Sequence, residues 1–88
     1  MILQHGIDQP KCESQSSPGT WFWEGVDRYI ILVFHCPKCL HIFRFAKKIH
    51  SVAIDGIVTP SVVCPWEGCR FHEFVKLNGW NGVDKRTK

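Results

Sequence analysis

Two closely spaced cysteine pairs constrain this chain more than any other feature of its sequence. Cys36-Pro-Lys-Cys39 has C-x2-C spacing, and Cys64-Pro-Trp-Glu-Gly-Cys69 has C-x4-C spacing. The segment between the pairs is long enough to form a hairpin that brings them together. Four converging thiolates suit the tetrahedral coordination of zinc and close its ligand shell, which is typical of a structural site. The sequence therefore predicts one structural zinc ion bound by Cys36, Cys39, Cys64 and Cys69.

Nearby histidines leave the ligand set open. His72 follows Cys69 with C-x2-H spacing, which is also a valid ligand spacing and would leave Cys64 outside the site. His35 and His41 flank the first pair. A redox-active C-x-x-C motif is a further alternative, but such a motif opens a helix in a βαβ pattern, and no segment here shows a helical period. Iron accepts the same four-thiolate geometry, so the spacing does not separate zinc from iron.

The length of the chain explains why a metal ion would be needed. A core built from 88 residues is marginal, because burial and chain entropy nearly cancel at this size. The odd number of cysteines and a start without a secretory signal argue against a disulfide framework. We therefore expect a cytoplasmic protein in which Cys12 lies outside the metal site. The longest apolar run has 6 residues, whereas a membrane helix needs about 20, so we expect no membrane association.

Short runs of β-branched and aromatic residues predict a small β-rich zinc-ribbon domain with about five short antiparallel strands and little or no helix. We expect the strands within residues 29–35, 42–49, 51–54, 57–63 and 71–77. Asp55-Gly56 between two apolar runs predicts a hairpin with a type I′ turn. Pro60 cannot donate a ladder hydrogen bond, so it predicts an edge or a bulge.

Composition divides the chain into three segments. Residues 1–20 are polar, with Gln, Ser, Pro and Gly clustered together, and we interpret them as a flexible N-terminal arm. Residues 21–83 contain both cysteine pairs and the predicted strands, and they form the zinc-ribbon domain. Residues 84–88 form a short basic tail.

Charge is distributed unevenly along the chain. The net charge of +3 combines −3 in the first 27 residues with +6 in the remainder. The stretch 28–48 contains Arg44, Lys47 and Lys48 among its basic residues and has no acidic residue. A surface of this sign attracts phosphates or acidic protein surfaces. We therefore expect these three residues to bind a partner, with a nucleic acid as the alternative to a protein.

Trp66 is a further candidate for partner binding. It lies between the cysteines of the second pair, in a loop whose tip should project outward, and Trp is enriched at interface hot spots. The alternative role of Trp66 is a lid that shields the thiolates from water.

The order of these motifs resembles short uncharacterised zinc-ribbon proteins encoded by bacteriophages and prophages. The matching pieces are Cys36-Pro-Lys-Cys39, Asp55-Gly56, Thr59-Pro60-Ser61, Cys69, His72, Phe74 and Gly79. The resemblance implies a phage-encoded protein with a small metal-stabilised fold. It also implies a host protein as the partner, such as part of a transcription or defence machine.

The sequence shows no catalytic constellation. Four thiolates would close the coordination shell, and a zinc deaminase needs H-x-E ahead of P-C-x-x-C, whereas His72-Glu73 are adjacent and follow both cysteine pairs. We therefore expect a non-catalytic, zinc-stabilised binding module and not an enzyme. The expected partner is a host protein, the alternative is a nucleic acid, and a second copy of the chain is a further candidate.

Overall fold

A single β-sheet forms the framework of the protein. The computed structural model describes residues 1–12, 15–25 and 28–87, and within these ranges it contains seven strands and no α-helix. The strands are β1 (Ile2–His5), β2 (Thr20–Glu24), β3 (Ile31–His35), β4 (Ile42–Phe45), β5 (Ser51–Val52), β6 (Ile57–Val63) and β7 (His72–Leu77). The prediction of a β-rich fold with little or no helix is confirmed, but the number of strands is seven and not about five. Residues 13–14 of the expected arm and Lys88 of the expected tail lie outside the described residues.

The strand order in the sheet is β4-β3-β2-β1-β7-β6-β5. Neighbouring strands pair antiparallel, except that β1 pairs parallel with both β2 and β7. The strands that overlap the five predicted ones, β3 to β7, pair antiparallel among themselves, whereas β1, for which no strand is predicted, makes the two parallel pairings. A tight turn cannot join parallel neighbours, and the segment 6–19 makes the connection from β1 to β2. Across the described ranges, no helix is long and apolar enough to cross a membrane.

The structure places β1 where the sequence predicts a flexible arm over residues 1–20. Ile2 and Leu3 pair with β7, whereas Gln4 and His5 pair with β2. Leu3 has no exposed surface, so the first strand lies in the middle of the sheet and contributes to the core. Four residues are too few for a period-2 pattern to stand out in the sequence. This segment is a strand because it pairs with β2 on one side and with β7 on the other.

The sheet curls so that its two halves face each other across the core. β3 and β7 are separated by two strands, which in a flat sheet would place them about 14 Å apart, at three spacings of about 4.8 Å. The ring of Phe34 in β3 nevertheless lies 5.3 Å from the ring of Phe71, the residue before β7. The buried side chains enclosed by the curl include Leu3, Trp21, Trp23, Leu32, Phe34, Phe43, Phe45, Val58, Val62, Phe71, Val75 and Leu77.

The β5–β6 hairpin forms at the predicted Asp55-Gly56, but with a different turn. The Gly56 N–H donates to the Ala53 carbonyl (2.8 Å), and the Ala53 N–H donates to the Ile57 carbonyl (2.9 Å). Gly56 has a φ of +93°, whereas the φ of Asp55 is not positive. The predicted type I′ turn is therefore wrong, because it needs a positive φ at both central residues. Gly56 is also tightly packed, since a Cβ atom there would lie 2.5 Å from the Leu77 carbonyl oxygen.

The predicted irregularity at Pro60 is present in β6. The register of β6 against β7 shifts between Val58 and Val62, so the prediction of a bulge is confirmed. The shift accommodates a residue that cannot donate to the ladder. The predicted strand over 42–49 ends early, at Phe45, because the next residues form a turn in which the His50 N–H donates to a backbone carbonyl.

The segment predicted as a basic tail over 84–88 packs against the sheet. Arg86 is buried, and it forms an ion pair with Asp84 at 2.8 Å and donates to the Phe45 carbonyl at 3.4 Å. The Thr87 N–H donates to the Ile30 carbonyl at 3.0 Å. Partial burial raises the pKa of Asp84, but the hydrogen bonds and charge of Arg86 outweigh this effect and hold the pKa below its usual value.

Candidate metal centre

Two loops that carry the cysteine pairs meet at one end of the curled sheet. We call residues 36–41, between β3 and β4, the first cysteine loop, and residues 64–71, between β6 and β7, the second cysteine loop. Each loop connects the two strands of an antiparallel hairpin. The loops come together because the curl of the sheet brings these two hairpins face to face.

The four sulfur atoms form a compact cluster. All of them lie within 4.8 Å of one another, and the Sγ of Cys36 is 3.7 Å from that of Cys69. The Sγ of Cys39 is 3.6 Å from that of Cys64. Four sulfurs that each lie about 2.3 Å from a zinc ion would form a tetrahedron with edges of about 3.8 Å. The predicted cysteines therefore form a cluster that can hold a metal ion.

Backbone hydrogen bonds shape the first cysteine loop. The Cys36 N–H donates to the His41 carbonyl (2.9 Å), and the Leu40 N–H donates to the Cys36 carbonyl (3.1 Å). Leu40 has a φ of +67°, a left-handed conformation that is uncommon for a residue other than glycine. These contacts turn the chain sharply after β3, so that both sulfur atoms of this loop point to the same place.

His35 supports this loop from the side of the sheet. Its Nε2 lies 3.0 Å from the Leu40 carbonyl oxygen, which can only accept, so Nε2 carries a proton. In the neutral ring, Nδ1 then accepts from the Ser16 hydroxyl at 2.8 Å. His35 therefore holds the strained Leu40 in place and is not a ligand. The sequence shows His35 only as a neighbour of the first cysteine pair, and nothing in the sequence indicates that Ser16 lies beside it.

The second cysteine loop is closed by its own backbone contacts. The Cys64 N–H donates to the Phe71 carbonyl (3.1 Å), and the Cys69 N–H donates to the Trp66 carbonyl (3.0 Å). Gly68 has a φ of +82°, which other residues rarely adopt. The glycine before the last cysteine therefore makes the tight bend of this loop possible.

Burial and hydrogen bonding shift the pKa values of three of the four thiols in opposite directions. Desolvation raises the pKa of the Cys36 thiol and raises the pKa of Cys64 to about 12. A hydrogen bond from the backbone of Phe71 lowers the pKa of Cys69 to about 7. A metal ion that binds here displaces protons from the buried thiols, so its affinity increases with pH.

Among the described residues, the cluster contains no histidine. His72 lies in β7 and forms a hydrogen bond with the Ser61 hydroxyl at 2.9 Å. The fourth member of the cluster is Cys64 and not the alternative, His72. His41 is exposed and stacks on a tryptophan of the second loop. Cys12 is exposed and does not belong to the cluster.

One side of the cluster faces solvent. Cys36 and Cys64 are buried, whereas Cys39 and Cys69 are half-buried. The half-buried pair lines an open cavity of about 470 Å³. The other residues that line this cavity are Lys38, His41, Glu67, Gly68 and Arg70. The cluster is therefore protected by the core on one side and accessible through the cavity on the other.

Trp66 bridges the two cysteine loops and remains accessible. Its ring stacks on His41 with ring centroids 4.0 Å apart, and its Nε1–H donates to the Ile42 carbonyl at 3.2 Å. The residue keeps 44% of its surface exposed. Trp66 therefore joins the loops and also faces solvent, and both roles considered for it stay predictions.

The basic residues predicted to form one surface divide into two groups. Arg44 forms an ion pair with Glu24 at 2.7 Å. Lys47 and Lys48 follow β4 and line a separate open cavity of about 360 Å³. The remaining residues that line this cavity are Ile49, His50, Ser51, Thr59 and Pro60. The charge of Arg44 is thus balanced by Glu24, whereas the two lysines line a cavity that also has polar side chains in its wall.

Comparisons of the chain with protein-family models, with curated proteins and with solved structures found no match. The site is therefore interpreted from its own geometry, and the resemblance to phage zinc-ribbon proteins stays a prediction.

Proposed function

We propose that this chain is a non-catalytic, zinc-stabilised binding module of the zinc-ribbon type. The observation that carries this proposal is the convergence of four cysteine sulfurs from two hairpin loops within 4.8 Å. A set of four thiolates leaves no open position on zinc for a substrate or an activated water, which favours a structural role over a catalytic one.

The ends of the two cysteine loops are the best candidate for the binding surface. Trp66 is held by His41 and by a hydrogen bond to Ile42, so little conformational freedom of its ring would be lost when a partner binds. An exposed and preorganised Trp is the typical anchor of an interface hot spot. The surface around Trp66 would therefore bind through one rigid aromatic anchor beside the metal centre.

The charges around this anchor favour an acidic protein surface as the partner. Lys38 and Arg70 line the cavity next to the cluster, and Glu67 is its single acidic residue. Complementary charge speeds association and selects partners. If the chain is phage-encoded, as the resemblance implies, the partner is a host protein, and the location of the complex is the host cytoplasm.

Affinity capture from a bacterial lysate with the zinc-loaded protein tests this function. We expect Trp66→Ala to lose at least tenfold in capture of the partner while it keeps its metal, because removing a hot-spot anchor costs about 2 kcal/mol or more. Phe74→Ala is a matched control, since Phe74 is an aromatic residue of β7 that is 70% exposed and lies outside the cysteine loops. Equal capture by Trp66→Ala and wild type, with metal content unchanged, would contradict the proposed surface.

Nucleic-acid binding is the second candidate, and the cavity beside Lys47 and Lys48 favours it. The hydroxyl groups of Ser51 and Thr59 lie 3.0 Å apart at the same cavity. Lys47 Nζ also donates to the Arg86 carbonyl at 3.5 Å, so Lys48 and the two hydroxyls are the groups best placed for a phosphate. Nuclease treatment of the lysate separates the candidates in the same experiment. Capture that disappears after nuclease and falls steeply with salt would favour the nucleic acid.

A further inference from the structure

Two sulfur–sulfur contacts in the cysteine cluster join one cysteine loop to the other. Cys36 lies 3.7 Å from Cys69, and Cys39 lies 3.6 Å from Cys64. A disulfide bond is about 2.05 Å long, so each pair needs to close by less than about 2 Å to form one. The contacts thus define two crosslinks between the hairpins.

Each of these pairs combines a solvent-accessible sulfur with a protected one. Cys69 and Cys39 are half-buried and line the open cavity, whereas Cys36 and Cys64 are buried. An oxidant that enters the cavity therefore meets Cys69 or Cys39 first, and the buried partner stands next to the oxidised sulfur. This arrangement of an accessible cysteine and an adjacent resolving cysteine is typical of redox-responsive sites.

We propose that the metal centre is also a peroxide-responsive switch, in which oxidation by a hydroperoxide joins Cys36 to Cys69 and Cys39 to Cys64 and expels the metal ion. This inference rests on the proposed metal centre and adds a modification of its ligands. It requires no oxidant other than the hydroperoxide.

The chemistry takes place in two steps for each pair. With hydrogen peroxide, the sulfur of Cys69 attacks one peroxide oxygen, the O–O bond breaks, and the leaving hydroxide takes a proton from solvent to form water, which leaves Cys69 as a sulfenic acid. The sulfur of Cys36 then attacks the sulfur of Cys69, the S–S bond forms, the S–O bond breaks, and the leaving hydroxide takes a second solvent proton to form a second water. Each pair thus gives two electrons to one peroxide. Two peroxides consume all four thiolates, and the metal leaves as a divalent cation.

The sequence separation of the pairs suggests what the oxidised form does. The crosslinks close loops of 33 residues for Cys36 with Cys69 and of 25 residues for Cys39 with Cys64. Linkage within a single cysteine loop would close only a few residues and restrain the unfolded chain much less. The oxidised protein therefore keeps its two hairpins joined after the metal has left, whereas the reduced protein without metal loses that connection.

Peroxide treatment of the full-length, zinc-loaded Cys12→Ser variant tests the switch. This variant removes the exposed thiol outside the cluster, so that disulfide exchange with it cannot obscure the pairing. We expect release of one equivalent of metal. The mass of the chain should be about 4 Da lower than that of the reduced, metal-free chain, because four thiols lose four hydrogen atoms. Digestion without reductant should yield peptides that link Cys36 with Cys69 and Cys39 with Cys64. A thiol reductant followed by zinc should restore the starting state.

Two further measurements make the result decisive. A sulfenic-acid probe such as dimedone, added with the peroxide, should label Cys39 and Cys69 ahead of their buried partners. The oxidised protein should keep its circular-dichroism spectrum in the presence of a chelator, whereas the reduced protein should lose it. Linkage of Cys36 with Cys39 or of Cys64 with Cys69, oxidation to sulfinic acid without disulfides, or equal loss of structure in both forms would overturn the proposal.

The failure of this inference can be distinguished from the failure of the proposed function. Metal analysis before oxidation tests the metal centre itself, and partner capture by the reduced protein tests the binding surface. If the purified protein held no metal but kept its folded circular-dichroism spectrum, the disulfide map obtained after peroxide treatment would still confirm or overturn the pairing of the sulfurs.

Discussion

Cys64 illustrates how much of this fold depends on single side chains. It is buried at the end of β6, lies 3.6 Å from Cys39, and belongs to the cluster that joins the two hairpins. In the sequence, His72 could take the place of Cys64 as a ligand, since both spacings are valid. The structure distinguishes them, because His72 lies on the exposed face of β7 and bonds to Ser61.

Cys64→Ser is therefore expected to lose its metal and unfold. A hydroxyl group is a poor zinc ligand, and binding of structural zinc contributes about 10–16 kcal/mol of apparent free energy in finger peptides, which exceeds the stability of a small core. Metal content measured by elemental analysis and structure measured by circular dichroism check the prediction.

Two matched variants complete this test. Cys12→Ser removes an exposed thiol outside the cluster, and His72→Ala removes the alternative ligand, so both should keep one equivalent of zinc. A zinc-loaded, folded Cys64→Ser together with a metal-free His72→Ala would show that the histidine is the ligand.

Among the secondary-structure elements, β1 departs most from what the local sequence indicates. Within the described ranges, both of its pairings are parallel, and it joins the β2–β4 half of the sheet to the β5–β7 half. Two consecutive residues of β1 differ sharply in environment, since Leu3 is fully buried and Ile2 is 60% exposed. The strand therefore contributes to stability through the single side chain that reaches the core.

Leu3→Ala should lower the free energy of unfolding by about 2–5 kcal/mol, the usual cost of a cavity left by a buried leucine. The control is Ile2→Ala in the same strand, for which we expect a change within about 0.5 kcal/mol because the side chain is largely exposed. Urea denaturation of the zinc-loaded variants gives both values. Equal midpoints for the two variants would mean that β1 is not packed in the way described.

Three kinds of contact join the β3–β4 hairpin to the β6–β7 hairpin. The curl of the sheet brings Phe34 and Phe71 into contact, and the sulfur cluster lies at the end of the same two hairpins. Trp66 adds a third link through its contacts with His41 and Ile42. The apolar core and the cysteine cluster therefore join the same pair of hairpins at two separate places.

Acidification should release the metal and unfold the whole molecule in one transition. Burial raises the pKa of Cys36 and raises that of Cys64 to about 12, so protons compete strongly for these sulfurs, and metal affinity falls as the pH falls. Because more than one thiol proton is displaced on binding, we expect an affinity loss of more than tenfold per pH unit between about pH 7 and pH 5. A titration that follows metal release with a chromophoric chelator and structure with tryptophan fluorescence checks this. Loss of structure before metal release would contradict it.

Local chemistry was enough to predict the cysteine cluster, one hairpin and one bulge. The cysteine spacing, the hairpin at Asp55-Gly56 and the irregularity at Pro60 each depend on a few neighbouring residues. The type of the Asp55-Gly56 turn was wrong, since only Gly56 of these two residues has a positive φ.

The tertiary structure alone decided how distant segments combine. Leu3 pairs with Leu77, His35 binds Ser16, and Arg86 is buried against Phe45, although no pattern near these residues predicts such partners. Pairing across long stretches of chain depends on the total surface that the curled sheet buries, and this is a property of the whole chain. The sequence therefore identified the four cysteines that form the cluster, whereas burial of the complete sheet determined which of these cysteines are enclosed and which are half-exposed.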